Sequence, residues 1–291
     1  MNSLLLDTSS LMYRAFFALP QSITTSGGQP INAIHGYLDM TARLLREYSP
    51  DELVHVYDAD WRPAARVEVY PPYKAERPEE PEELTRQFAW LPQMLDALGM
   101  AQAAAPEWEA DDAIGSLCAA GRAGDNLNIV TGDRDLLQLV HDGDSDTARV
   151  QLLFTVRGVS NLQAFDAAAV QTKYGVSPER YADFATLRGD PSDGLPGVAG
   201  IGEKTAARLV NEYATLDDLI AHADDLTARL ATNVRDAAGY LAAMEAVVPI
   251  RRDVTVEVSR PDPDPTALER LADELGLRGP VERLGQAMRR E

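Results

Sequence analysis

Residues 127–135 read Leu-Asn-Ile-Val-Thr-Gly-Asp-Arg-Asp. An apolar run of this length, closed by a glycine turn, predicts a buried strand with two acids, Asp133 and Asp135, just past its carboxyl end. The same pattern recurs at Ser3-Leu-Leu-Leu-Asp7 and at Leu53-Val-His-Val-Tyr-Asp58. Two more acidic clusters sit at segment boundaries. Glu109-Ala-Asp111-Asp112 opens a helical run, and Asp190-Pro-Ser-Asp193 precedes a glycine-rich turn. Carboxyl ends of neighbouring parallel strands share one edge, so acids far apart in sequence meet there. Carboxylates gathered in this way repel one another and take up protons unless cations sit among them. Hard divalent ions such as Mg²⁺ are held by oxygen ligands of this kind.

The rest of the chain frames that edge. It has 291 residues, 45% of them apolar, which fits one large or two ordinary soluble domains. No uninterrupted apolar stretch is long enough to span a bilayer, and the apolar start reads as a strand and a helix, not a signal peptide. The single cysteine, Cys118, lies on an apolar helix face and reads as a buried thiol, which fits a reducing cytoplasm. Net charge is −19, and the nine acids named above account for about half of that excess. Nucleic-acid binding must therefore rest on local basic patches. The four histidines have no metal-ligand spacing and no G-x-S-x-G element occurs, which disfavours zinc and serine chemistry.

Strand-like runs alternate with amphipathic stretches up to about residue 162, which predicts an α/β fold with a mainly parallel central sheet covered by helices. From 163 to 291 the pattern is helical, broken by the Pro/Asp run at 259–266. A Pro-rich, charged segment spans 61–81. It interleaves Arg62, Arg66, Tyr70, Tyr73, Lys74 and Arg77, a mixture suited to gripping a single strand by phosphate contact and base stacking. Arg14 follows Asp7 by about two helical turns and is expected near the same site.

Residues 195–206 form a glycine hairpin, Leu-Pro-Gly-Val-Ala-Gly-Ile-Gly-Glu-Lys-Thr-Ala. Gly197, Gly200 and Gly202 permit positive φ and close backbone approach. Amides near Gly200 and Gly202 at a helix start suit a phosphate, with Lys204, Thr205 and Arg208 in reach. Carbonyls of Val198 and Ile201 are candidates for a monovalent cation.

Together these segments resemble the bacterial flap endonuclease and 5′-nuclease family, which includes the 5′-nuclease domain of bacterial DNA polymerase I. The matching stretches are LLLDTSSLMYRAFFAL, ITTSGGQPINAIHGY, VYDA, YPPYKAER, PEWEADDAIGSL, IVTGDRDLLQLV and GDPSDGLPGVAGIGEKTAARLV, in that order. The resemblance covers residues 4–249. It implies a PIN-like sheet domain and a helix–two-turn–helix element that holds duplex DNA and binds K⁺. It also implies that the metal ligands are Asp7, Asp58, Glu109, Asp111, Asp112, Asp133, Asp135, Asp190 and Asp193. Lys74, with Arg14, would orient the scissile phosphate, and Arg66, Tyr73 and Arg77 would grip the 5′ strand. The expected activity is 5′-flap endonuclease and 5′–3′ exonuclease cleavage with two or three Mg²⁺ or Mn²⁺ ions, by a monomer. The expected substrate is DNA with a 5′ end or 5′ flap next to duplex.

The chain departs from the family pattern at Ala65, usually aromatic, and at Gly194, usually Asn. No polymerase segment follows Glu291, so a free-standing enzyme is expected. A PIN-type ribonuclease shares the acidic edge, and a catalytically silent junction-binding module shares the hairpin. The hairpin disfavours the first and the complete set of acids disfavours the second.

Overall fold

The computed structural model describes residues 1–156 and 158–289. The first part runs β1 (Asn2–Asp7), α1 (Thr8–Ala18), α2 (Asn32–Tyr48), β2 (Glu52–Tyr57), α3 (Ala64–Val69), α4 (Glu82–Leu98), β3 (Ala101–Ala104), α5 (Ala110–Ala119), β4 (Asn126–Thr131), β5 (Arg149–Thr155) and β6 (Leu162–Phe165). A helical layer follows, with α6 (Ala167–Tyr174), α7 (Tyr181–Arg188), α8 (Glu203–Glu212), α9 (Leu216–Ala221), α10 (Ala228–Asp236) and α11 (Ala238–Val247). The chain closes with β7 (Glu257–Ser259), α12 (Pro265–Glu274) and α13 (Arg278–Met288).

The strands form one sheet in the order β6-β5-β4-β1-β2-β3-β7. The five inner strands are parallel, and β6 and β7 join antiparallel at the two edges. The mainly parallel sheet expected from the alternating pattern is present. Continuous apolar runs such as Leu4-Leu5-Leu6 are what a strand covered on both faces requires. Leu4 and Leu6 pack on one side with Leu11, Ile34, Tyr37 and Met94 of α1, α2 and α4. Leu5 packs on the other with Ile129 and the α5 residues Ala113 and Ile114. Each fully buried leucine contributes roughly 1.5–3 kcal/mol, so a charge at Leu4 would disrupt the sheet at its centre.

Several elements differ from the sequence expectation. Residues after Asp133 form a short 3-10 helix, Asp135–Leu139, in place of an α-helix. The chain breaks at Ala237 between α10 and α11. β6 and β7 carry no alternating apolar pattern; they form because an edge of the sheet offers them backbone partners. The C-terminal region is also not purely helical or separate. β7 pairs with β3, α12 packs against α4 and α13 against α2, so the chain returns to the sheet.

Candidate active site

β4, β1, β2 and β3 are neighbours, so the acids that follow them stand side by side at one end of the sheet. Asp7 ends β1 and caps α1, accepting the Ser10 amide at 3.1 Å and the Thr131 hydroxyl at 2.5 Å. Its carboxyl is buried, and lost hydration, with repulsion from Asp58 and Asp133, pushes it up to about 7. Asp58 accepts the Ala110 amide at 2.8 Å, which ties the end of β2 to the first turn of α5. Asp133 accepts the Asp135 amide at 2.9 Å, and its own amide donates to Thr131 Oγ1 at 2.8 Å. Thr131, which the sequence reading passed over, therefore orients both Asp7 and Asp133.

Lost hydration also raises Asp111, Asp133 and Asp135, helped by the charge of Asp133 at Asp111 and at Asp135 and by that of Asp193 at Asp133. Asp133 and Asp7 push on Asp111, while Asp193 and Asp190 push on Asp135. Lys74 opposes the rise at all three. Asp190 is engaged locally, accepting the Ser192 amide at 2.9 Å and its hydroxyl at 2.6 Å. Its backbone pairs with Leu195 in both directions at 2.9 Å, which anchors the hairpin to the acidic edge.

Two of the nine acids are held differently. Asp112 is fully buried, with both oxygens on Arg66 at 2.7 Å. It also accepts the amide of Arg251 at 2.9 Å. Both of its oxygens are thus engaged in a buried ion pair in this structure. Glu109 accepts from Arg66 Nη1 at 2.5 Å, from the Tyr73 hydroxyl at 2.7 Å and from Lys74 Nζ.

The same contacts bury two residues expected to touch DNA. Arg66 is 3% exposed, donates its Nε to the Val247 carbonyl at 3.0 Å, and lies beside the Tyr73 and Trp108 rings. Tyr73 is 5% exposed. Arg66 points from α3 toward Asp112 of α5, and Tyr73, in the turn beyond α3, donates its hydroxyl to Glu109. The spacing of residues in a Pro-rich segment carries no record of that turn.

The remaining cations face the acids. Lys74 adopts a left-handed backbone at φ 53°, is buried, and donates its amide to the Asp193 carbonyl at 2.9 Å. Arg77 is partly exposed and its Nη2 donates to Asp193 Oδ1 at 2.6 Å. Arg14 packs its guanidinium against Gly132, and its buried Nε makes no hydrogen bond among the described residues. Gly194, at φ 73°, lies against the arch base: a Cβ there would stand 2.5 Å from the Pro72 carbonyl oxygen.

In the hairpin, Gly197 and Gly200 take positive φ, at 66° and 76°. Gly202 does not; it is extended and caps α8 without a side chain. Gly200, Gly202, Lys204 and Arg208 are exposed and Thr205 is half-buried, with Arg208 paired to Glu212. Val198 and Ile201 bury their side chains, and the Val198 carbonyl accepts the Ile201 amide at 3.0 Å. Tyr240 supports the turn, its hydroxyl lying 3.3 Å from the Gly197 amide and 3.1 Å from the Thr186 carbonyl.

The donor set suits a hard cation. It is entirely carboxylate, and four of its members are held above their usual range by burial and mutual repulsion. Among the described residues no three acids, histidines or cysteines form a ready-made coordination shell. A metal that keeps part of its water fits such a ring better than a fully dehydrated one. Among the described residues no helix is long and apolar enough to cross a membrane.

Comparison with known proteins places this arrangement. Residues 2–175 match the 5′-3′ exonuclease N-terminal resolvase-like domain, and residues 176–270 the 5′-3′ exonuclease C-terminal SAM fold. The chain is 45% identical over 301 residues to a 5′-3′ exonuclease of Streptomyces coelicolor, covering 97% of this chain and 98% of that protein. It is 39% identical over 282 residues to DNA polymerase I of Mycobacterium tuberculosis, covering 94% of this chain and 30% of the polymerase. The T5 D15 protein co-crystallised with metal ions shares the fold, with a TM-score of 0.67 at 17% identity over 99% of this chain and 98% of that one. The catalytic core of Rad2 in complex with DNA substrate does so with a TM-score of 0.60 at 17% identity, over 99% and 91% of the two chains. With both of its parts matched and full-length relatives well above 30% identity, this chain is a member of the 5′-3′ exonuclease family.

Proposed function

We propose that this chain is a divalent-metal-dependent, structure-specific 5′ nuclease that cuts DNA carrying a 5′ end or 5′ flap next to duplex. The observation that carries this reading is the grouping of Asp7, Asp111, Asp133 and Asp135 at one sheet edge, all held above their usual pKa, with Lys74 turned into them. A pair of divalent ions supplies a nucleophilic hydroxide near neutral pH and charge for the departing oxygen. Mg²⁺ or Mn²⁺ fits carboxylate ligands. Asp7, Asp58, Asp111, Asp133 and Asp135 would hold the ions, with Asp190 and Asp193 at the hairpin side.

The chain's own groups position the substrate. Lys74 would hold the scissile phosphate against the acids, and Arg14 would offer its unpartnered Nε to the same strand. Arg77 would leave Asp193 for a phosphate when DNA arrives, and the 61–81 arch would clamp the free 5′ strand. The Gly200 and Gly202 amides with Lys204, Thr205 and Arg208 would hold the duplex, with K⁺ on the carbonyls of Val198 and Ile201. Water adds to phosphorus in line, the bond to the 3′ oxygen breaks, and the proton ends on that oxygen. The products are a 5′-phosphate and a 3′-hydroxyl, released by a monomer.

The test is Asp133→Asn assayed on a labelled 5′-flap DNA in Mg²⁺ or Mn²⁺. Duplex binding should persist and cleavage should be lost. Full cleavage by the variant would reject the assignment.

A further inference from the structure

A cavity of about 390 Å³ lies at the amino ends of β1, β2 and β4, the end of the sheet opposite the acids. It exists because α5 is short. The helix stops at Ala119, and the chain then turns sharply at Gly121, where a Cβ would meet the side chains of Ala148 and Leu127 at 2.7 and 2.8 Å. The amino half of that sheet face is therefore covered less deeply by the helix, although Leu5, Val54 and Leu127 remain buried. Leu5, Val54 and Leu127 form an apolar floor, and Leu117 adds a wall.

One polar group on the floor has no partner. Ser3 is 2% exposed, lines the cavity, and its Oγ makes no hydrogen bond among the described residues. A buried hydroxyl left this way carries a desolvation cost that a ligand oxygen would relieve. The rim charges are mostly matched: Arg260 pairs with Glu52 at 2.6 Å, and the Met1 amine with Asp125 at 2.9 Å. Arg122 is exposed and makes no direct ion pair among the described residues; its charge acts on Asp125 from farther off, which leaves its guanidinium free to meet an anion. An apolar hollow of this size with a few converging polar groups is what small-molecule sites look like.

We propose that this hollow binds a small apolar molecule bearing one carboxylate. Its chain or ring lies on Leu5, Val54 and Leu127, its acid accepts from the Ser3 hydroxyl, and Arg122 supplies the opposing charge. The site is separate from the nuclease edge, because Ser3 and Asp7 stand at opposite ends of β1.

Isothermal titration of the whole chain, free of divalent metal, tests this with decanoate, decan-1-ol and acetate as probes. Decanoate should saturate one site, decan-1-ol should bind about fivefold weaker for want of the charge-assisted contact, and acetate should not bind. Arg122→Gln should bring decanoate down to the level of the alcohol. Ser3→Val and Leu117→Trp, which fill the hollow from the strand and from the helix, should each abolish decanoate binding while the melting temperature and flap cleavage stay unchanged. Should Ser3→Val fail to fold, Leu117→Trp decides alone. Absence of saturable binding, or full decanoate binding in a folded Leu117→Trp, would overturn the proposal.

Discussion

Arg66 and Asp112 form a two-point ion pair inside the protein, Nη1 on Oδ2 and Nη2 on Oδ1, each at 2.7 Å. The pair joins α3 of the arch base to α5, which carries Asp111, and through the Val247 carbonyl it reaches the end of α11. Removing one partner leaves the other charge buried, which costs more than the pair contributes. Arg66→Ala should therefore lose about 3–5 kcal/mol of stability in urea unfolding. Loss of flap binding at unchanged stability would mean that Arg66 contacts DNA after all.

Stability should depend on pH through the acids at the sheet edge. Asp7 is raised in the folded state from 3.8 to about 7, and Asp111 and Asp135 are raised in the same sense. A folded state that holds these protons more tightly than the unfolded chain is favoured at low pH. The contribution is complete below about pH 4 and is lost as pH rises through about 7. In chelator, the melting temperature should fall between pH 5 and pH 8. Mg²⁺ should restore more at pH 8 than at pH 5, because the ionised acids then have a cation to share. Calorimetry across that window checks both.

Lys74 should matter to chemistry more than to binding. Its charge acts on Asp111, Asp133 and Asp135, and it is buried. Lys74→Met should lower kcat on a 5′ flap by about 100-fold, the size of losing one preorganised charge at a reacting oxyanion. Its Kd for the same DNA in Ca²⁺ should change little. Single-turnover cleavage and a binding titration separate the two.

Gly194 is tied to the arch by space as well as by φ. Gly194→Ala must move the Pro72 carbonyl and strain a left-handed residue, a cost of about 1–3 kcal/mol. Lys74 should shift with it, since its amide donates to the Asp193 carbonyl. Cleavage should fall in step with stability. Unchanged unfolding would show that the loop has room the structure does not.

At the hairpin, Lys204→Ala should weaken duplex binding equally for all sequences and reduce the salt slope by about 1. Binding titrations over a range of KCl measure it.

Much of the site was legible in sequence because its logic is one-dimensional. An apolar run ending in Asp puts a carboxylate at the end of a strand, and the parallel sheet gathers those ends. Asp7, Asp58 and Asp133 follow from that rule alone. Asp112 did not, because at a helix start a ligand and an ion-pair partner look alike. What separates them is Arg66, which lies 46 residues away and points inward. The burial of Tyr73 was hidden for the same reason: an aromatic in a Pro-rich segment shows no face until the segment folds. β6 and β7 were illegible because their pairing comes from the sheet edge they meet, not from any pattern of their own.

The pairing of β7 with β3 also orders events in time. β2 and β3 are made early, yet one edge of β3 waits for residues 257–259 to emerge before it is covered. Until then a nascent sheet presents an open strand able to pair with a neighbouring chain. The last strand thus acts as a closing seam over an edge that stays open longer than any other in the sheet.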